Sequence, residues 1–107
     1  MSYTPDNWVV LKVNTKPKPH YRILAGWSGG NAQGSSWRMN SGITSVSMED
    51  NYYLFKGFSG SVYQCHKDAY RLRMNNVGVV KQYEEERPGF VEVLPEETDW
   101  LSFKWEH

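Results

Sequence analysis

Apolar and polar residues alternate along most of this chain with a period of two, which is the pattern of half-buried strands. Asn7–Asn14 sets Val9, Leu11 and Val13 against Trp8, Val10 and Lys12, a strand with one strongly apolar face. Thr15–Pro19 carries two prolines, which remove backbone donors and hold their neighbours extended, so it reads as a stiff connector. His20–Trp27 alternates again, with Tyr21, Ile23, Ala25 and Trp27 on one face. Ser28–Ser36 (SGGNAQGSS) has no period and holds three glycines, which predicts a loop. Trp37–Asn40, the Thr44/Val46/Met48 alternation, Tyr52–Gly57 and Ser61–Cys65 then read as short strands. Turn residues at Ser41-Gly42, Glu49–Asn51 and Phe58–Gly60 separate them.

The rhythm changes after Cys65. Lys67–Met74 places Ala69, Arg71 and Leu72 among good helix formers, and it predicts one or two helical turns closed by Asn75-Asn76, since asparagine tolerates the left-handed conformation. Val77, Val80 and Tyr83 fall three apart and predict a helical face reaching Glu86, although Gly78 weakens such a helix by about 1 kcal/mol relative to alanine. Arg87-Pro88-Gly89 ends it. Phe90–Leu94 and Trp100–Trp105 alternate once more on either side of an acidic turn, Pro95–Asp99. The helical crossovers that a parallel sheet requires are absent from this pattern. The expected fold is therefore mainly β (α+β): an antiparallel small barrel or strongly bent sheet, with one or two short helices around 66–86.

Size and composition narrow this further. At 107 residues the chain is one domain's worth of material, and 1–107 is expected to fold as a single domain. Leucine and isoleucine are few, but 5 Trp, 7 Tyr and 4 Phe supply large units of burial. The longest apolar run, Trp8–Leu11, is far short of the roughly 20 residues a membrane-spanning helix needs, so no membrane association is expected. The opening Met-Ser-Tyr-Thr-Pro-Asp has no charged head followed by an apolar stretch and does not read as a secretory signal. A single cysteine, Cys65, leaves no intramolecular disulfide and suits a reducing compartment, so the expected location is cytoplasmic. The zero formal charge hides an asymmetry: residues 1–83 hold ten Lys and Arg against four Asp and Glu, whereas 84–107 hold two against eight. Either the acidic quarter folds back onto the basic body, or the two face different partners.

Catalytic signatures are missing. There is no phosphate-cradling G-x-x-x-x-G-K-[ST] run, and Gly26-Trp-Ser-Gly-Gly30 departs from the nucleophile-elbow spacing and precedes a loop rather than a helix. Cys65 and His66 are adjacent, so on a strand they point to opposite faces, and His20 and His107 are remote in sequence. No metal site, cofactor or catalytic residue is predicted from them. The glutamates at 84–86, 96 and 97 read as solvated turns or as a surface for a basic partner.

The suggestive feature is the interleaving of rings and cations: Arg22, Trp27, Trp37, Arg38, Tyr63, His66, Lys67, Arg71 and Arg73 are the candidate binding residues. Single-stranded nucleic acid is gripped in this way, with bases on rings and cations along the phosphates. In a domain this rich in aromatics, many of the same rings are also needed for the core.

Between Tyr21 and Asn76 the wording of the chain is distinctive: Ala25-Gly-Trp-Ser-Gly-Gly30, Ser36-Trp-Arg-Met-Asn-Ser-Gly-Ile43, Tyr52-Tyr-Leu-Phe55, Ser59-Gly-Ser-Val-Tyr-Gln-Cys-His-Lys67 and Leu72-Arg-Met-Asn-Asn76. This half of the chain resembles a group of short uncharacterised proteins of bacteriophages and some bacteria. The resemblance brings no activity, cofactor or site residue. It implies at most a phage-type accessory protein acting by contact with a host component. The leading expectation is thus a small soluble binding protein with a protein partner, and the Trp100–Trp105 strand is a candidate edge for a homodimer. A single-stranded nucleic-acid-binding β module is the second reading. A small hydrolase or thiol enzyme around Cys65/His66 is the third.

Overall fold

The computed structural model describes residues 1–29 and 35–105, so part of the glycine-rich loop predicted at 28–36 lies outside the described residues. Eight strands and one helix follow in chain order: β1 (Ser2–Tyr3), β2 (Asn7–Val13), β3 (His20–Trp27), β4 (Ser36–Met39), β5 (Ile43–Glu49), β6 (Tyr52–Gly57), β7 (Val62–His66), α1 (Val77–Glu86) and β8 (Val91–Val93). They form two four-stranded sheets, ordered β4-β3-β2-β8 and β1-β7-β6-β5. Every pairing is antiparallel except that of β1 with β7. The β-rich, largely antiparallel expectation holds, and the strands divide into two sheets without closing into a barrel.

The alternation that identified the strands also decides what each face meets. Trp8 projects towards the second sheet, where its ring lies 5.3 Å from Phe55 and 6.2 Å from Tyr53. Asn7, on the opposite face of β2, stands across from Gly26 and beside Asn75, at the approach to α1. Val9, Leu11 and Val13 share that face by period. β2 is therefore buried on both sides, with six of its seven residues inaccessible, rather than on the single face that its sequence suggested. One buried cluster takes in both sheets, Val80 of α1 and Trp100. Burying such a face contributes on the order of 25 cal/mol per Å² of apolar area, and the indole of Trp8, fully enclosed, is its largest unit.

Two segments differ from the sequence expectation. Lys67–Met74 contains no helix. Its backbone instead pairs with β2: the Trp8 N–H donates to the Ala69 carbonyl (3.2 Å), the Arg71 N–H donates to the Trp8 carbonyl (3.0 Å), and Trp8 and Tyr70 form a parallel bridge. The Trp8 indole N–H donates to the His66 carbonyl at 2.8 Å. A segment whose amides are committed to a distant strand cannot also close helical turns, so a single helix, α1, remains of the one or two expected. Asn75 and Asn76 precede that helix instead of ending an earlier one.

The second correction concerns Trp100–Trp105, which forms no strand. The chain turns at 99–102 and sends its rings inward. Trp100 lies 5.9 Å from Trp8 and 5.5 Å from Tyr70, and Trp105 lies 5.5 Å from Tyr21. Trp100, Phe103 and Trp105 form an aromatic plug while Leu101 stays exposed, and the edge invoked for a homodimer does not exist there.

Candidate functional site

Seven of the nine candidate residues fall into three places, and Trp27 and Arg73 stand apart. Arg22, Arg38 and Tyr63 border one cleft of about 410 Å³, together with Tyr3 and the serines at 41, 59 and 61. Two turns build its floor. At the end of β4, Asn40 accepts the Ile23 N–H on its side-chain oxygen (2.8 Å) while its own N–H donates to the Ile23 carbonyl (3.1 Å). This side-chain substitute for a ladder bond releases the chain from the first sheet and carries it into β5 of the second. Gly42 makes the crossing with φ of 131°, a conformation open to glycine, and a Cβ there would meet the Phe58 ring at 2.8 Å. The Ser41 hydroxyl then accepts the Ser59 N–H (3.0 Å), which locks the crossing to the β6–β7 turn.

Cations border this cleft without carboxylates. The Arg38 guanidinium lies 4.7 Å above the centre of the Tyr3 ring, a cation–π contact. Arg22 donates from Nε to His20 Nε2 (3.1 Å), and its Nη1 lies 3.8 Å from the Met39 sulfur. Burial, and then the Arg22 charge, hold His20 below its ordinary pKa, in the neutral form that can accept this bond. Tyr63 is buried, its ring 4.9 Å from that of Tyr3. Its pKa is pushed up to about 12, chiefly by burial, with Arg38 pulling the other way.

His66, Lys67 and Arg71 form a second group, organised around Asp68. The Asp68 N–H donates to His66 Nδ1 (3.1 Å), Arg71 Nη2 donates to the Asp68 carbonyl (2.6 Å), and the Lys67 ammonium lies 3.8 Å from the Asp68 carboxylate. His66 also meets Tyr52 edge-on at 5.1 Å. Arg73 lies further along, its N–H donated to Asn76. Trp27 is half-buried, with its indole N–H on the Thr4 carbonyl (3.1 Å) and its ring against Tyr3.

Cys65 is fully buried and its thiol pKa is raised well above the ordinary value by loss of solvation. A nucleophilic thiol needs the opposite: partial exposure and a depressed pKa. Among the described residues no group of three His, Cys, Asp or Glu side chains is placed to hold a metal ion. The acidic quarter makes no ion pair with the basic body among the described residues, where Lys67–Asp68 is the single pair.

The third place belongs to Trp37. Of the five tryptophans it alone is exposed, at 51%, whereas Trp8 and Trp100 are enclosed. Opposite Gly26 on β4, it faces α1 and divides two hollows there, one bordered by Tyr83, Gln82 and Glu86 and the other by Met74 and Gly78. Met74 is 90% exposed. The sequence flagged Trp37 but not Met74, and no local signal distinguishes Met74 from a methionine of the core.

Comparison of the chain with models of protein families, with curated proteins and with solved structures finds no match.

Proposed function

We propose that this chain is a small binding protein that works by contact with a protein partner, and that Trp37, Met74 and the exposed side of α1 form its contact surface. One observation carries the reading: an indole and a thioether stand in solvent at the same hollow, whereas the other four tryptophans are buried or half-buried. Exposed apolar surface of this kind contributes nothing to folding, and Trp and Met are enriched where proteins meet. The rim gives the partner its chemistry. Glu84, Glu85 and Glu86 are exposed at the end of α1, and Gln82 donates to Glu86 (3.2 Å), so the matching surface carries an apolar anchor flanked by Lys or Arg. The resemblance of Tyr21–Asn76 to short phage and bacterial proteins suggests a bacterial partner.

Affinity capture from a bacterial lysate tests this, using the wild-type chain beside Trp37→Ser and Met74→Gln. The expected result is a protein retained by the wild type and lost from both variants, at unchanged thermal midpoint. Retention that is equal on all three, or no retained protein above background, overturns the proposal.

A further inference from the structure

We propose that the cleft between Arg38 and Arg22, on the far side of β4 from Trp37, is a binding site for a small phosphate monoester. Consecutive residues of a strand face opposite ways, so Trp37 turns to α1 while Arg38 turns towards Tyr3 and Tyr63. Arg22 reaches the same cleft from the neighbouring strand, beyond the point where β4 ends. Guanidinium groups present several N–H donors in a fixed fork that suits phosphate oxygens.

Both arginines keep donors that the protein does not use: Arg22 commits its Nε–H to His20 and one Nη to the Met39 sulfur, and the rest of its guanidinium is left over. Among the described residues neither makes an ion pair, and no carboxylate borders the cleft. Arg38 makes no hydrogen bond among the described residues, and its contact with Tyr3 leaves its N–H edges free. The Tyr63 ring, 2% exposed, forms a wall of the cleft. Asn40, 3% exposed, gives its oxygen to Ile23 and leaves its Nδ2 unpartnered beneath the serines. A buried donor without a partner is costly to a fold that gains nothing from it, and of the two such atoms among the described residues, Asn40 Nδ2 and Trp105 Nε1, the first lies at this cleft. It stands there with two arginines and three hydroxyls, held by two turns locked to each other.

Size and ring geometry separate the small ligand from a polynucleotide. A volume of about 410 Å³ takes a phosphate with a modest organic group attached. A nucleic-acid strand needs open ring faces on which successive bases can stack. The rings bordering this cleft are already engaged: Tyr3 lies beneath Arg38 and against Tyr63.

The test is a titration followed by backbone and arginine side-chain amide NMR, with inorganic phosphate, phenyl phosphate and the oligonucleotide dT8, each against sodium chloride at matched ionic strength. The expected result is saturable shifts from both phosphates at the amides of residues 41, 59 and 61 and at Arg38 Nε–H, with phenyl phosphate the tighter. Arg38→Gln weakens binding about tenfold or more, the scale of one lost charge-assisted contact, and Arg22→Gln weakens it less. Both variants keep the wild-type thermal midpoint. Shifts that chloride reproduces, or affinities unchanged in Arg38→Gln, overturn the site. Saturation by dT8 without saturation by phenyl phosphate replaces it with a nucleic-acid interface.

Discussion

Two polar clusters flank the ends of β3 and β4, and they treat their donors in opposite ways. Around Gly26, Asn7 and Asn75 exchange both amide bonds: Asn7 Nδ2 donates to Asn75 Oδ1 (3.1 Å) and Asn75 Nδ2 donates to Asn7 Oδ1 (2.7 Å). Asn7 also donates to the Arg71 carbonyl (3.1 Å), and Asn76 takes the Arg73 N–H (2.8 Å). All three asparagines are buried, and together they fasten the 70–76 segment to the first sheet. Around Arg22, Arg38 and Tyr63 some donors are left over: Arg22 spends its Nε–H on His20, but Asn40 Nδ2 has no partner and Arg38 makes no hydrogen bond among the described residues. Buried polar groups that serve only the fold find partners within the chain. On the proposed reading, the second cluster keeps its spare donors for a ligand. Substitutions in the first cluster should therefore damage stability, whereas those in the second should damage binding.

The largest expected effect is at Gly26. A Cβ on this residue would lie 2.1 Å from Asn75 Oδ1, and Asn75 cannot retreat without breaking its exchange with Asn7. Gly26→Ala should lose about 3 kcal/mol, the upper end of typical overpacking penalties, and lower the thermal midpoint by about 10 °C or more. A midpoint within a few degrees of wild type would mean that the segment is not pinned there. Next comes Asn7→Ala, which strands the Asn75 amide and the Arg71 carbonyl in a buried setting. Urea denaturation should show a loss of about 2 kcal/mol. In Asn7→Ala/Asn75→Ala the loss should fall short of the sum of the single losses by about 1 kcal/mol, and strict additivity would refute the reciprocal pair.

Much of the fold was legible because local pattern and long-range pairing agreed. The strands read at β2, β3 and β5–β7 all form, with turns at Glu49–Asn51 and Phe58–Gly60 where turn residues cluster. Legibility failed where the two disagreed. Ala69 and Leu72 fall at helical spacing, yet the Ala69 carbonyl and the Arg71 N–H are taken by Trp8, about sixty residues away, and nothing local announces that partner. Asn75-Asn76 do lie in a turn, as read, but their distant partners Asn7 and Leu24 and their close approach to Gly26 left no local signal. Trp100–Trp105 alternated like a strand by sequence alone: in the fold Leu101 is exposed and the out-of-phase Trp100 is the ring most deeply inserted. At the cleft, the pairing of arginines with rings identified Arg22, Arg38 and Tyr63. Their meeting was hidden, because it depends on Asn40 redirecting the chain between sheets, and so were the serines that complete the lining.

The finest separation of the two clusters comes from one phenol in each neighbourhood. Tyr70, near the asparagines, accepts the Val10 N–H (3.1 Å) and donates to the Leu94 carbonyl; Tyr63 borders the cleft. Burial raises both to about 12, from the ordinary 10. The folded chain thus holds these protons more tightly than the unfolded one. Their contribution to stability is complete below pH 10 and declines as pH rises from there towards 12. Ultraviolet titration of phenolate should find two late tyrosines in the wild type. Arg38 is the one cation that lowers Tyr63, so Arg38→Gln should move one of these two transitions upward and leave that of Tyr70 in place. The same substitution should change stability at neutral pH by less than about 0.5 kcal/mol, as expected of an exposed residue with no partner to lose beyond the Tyr3 face. A larger loss would place Arg38 among the structural residues and erase the contrast between the clusters. An unmoved Tyr63 would show that the guanidinium does not face the cleft at all.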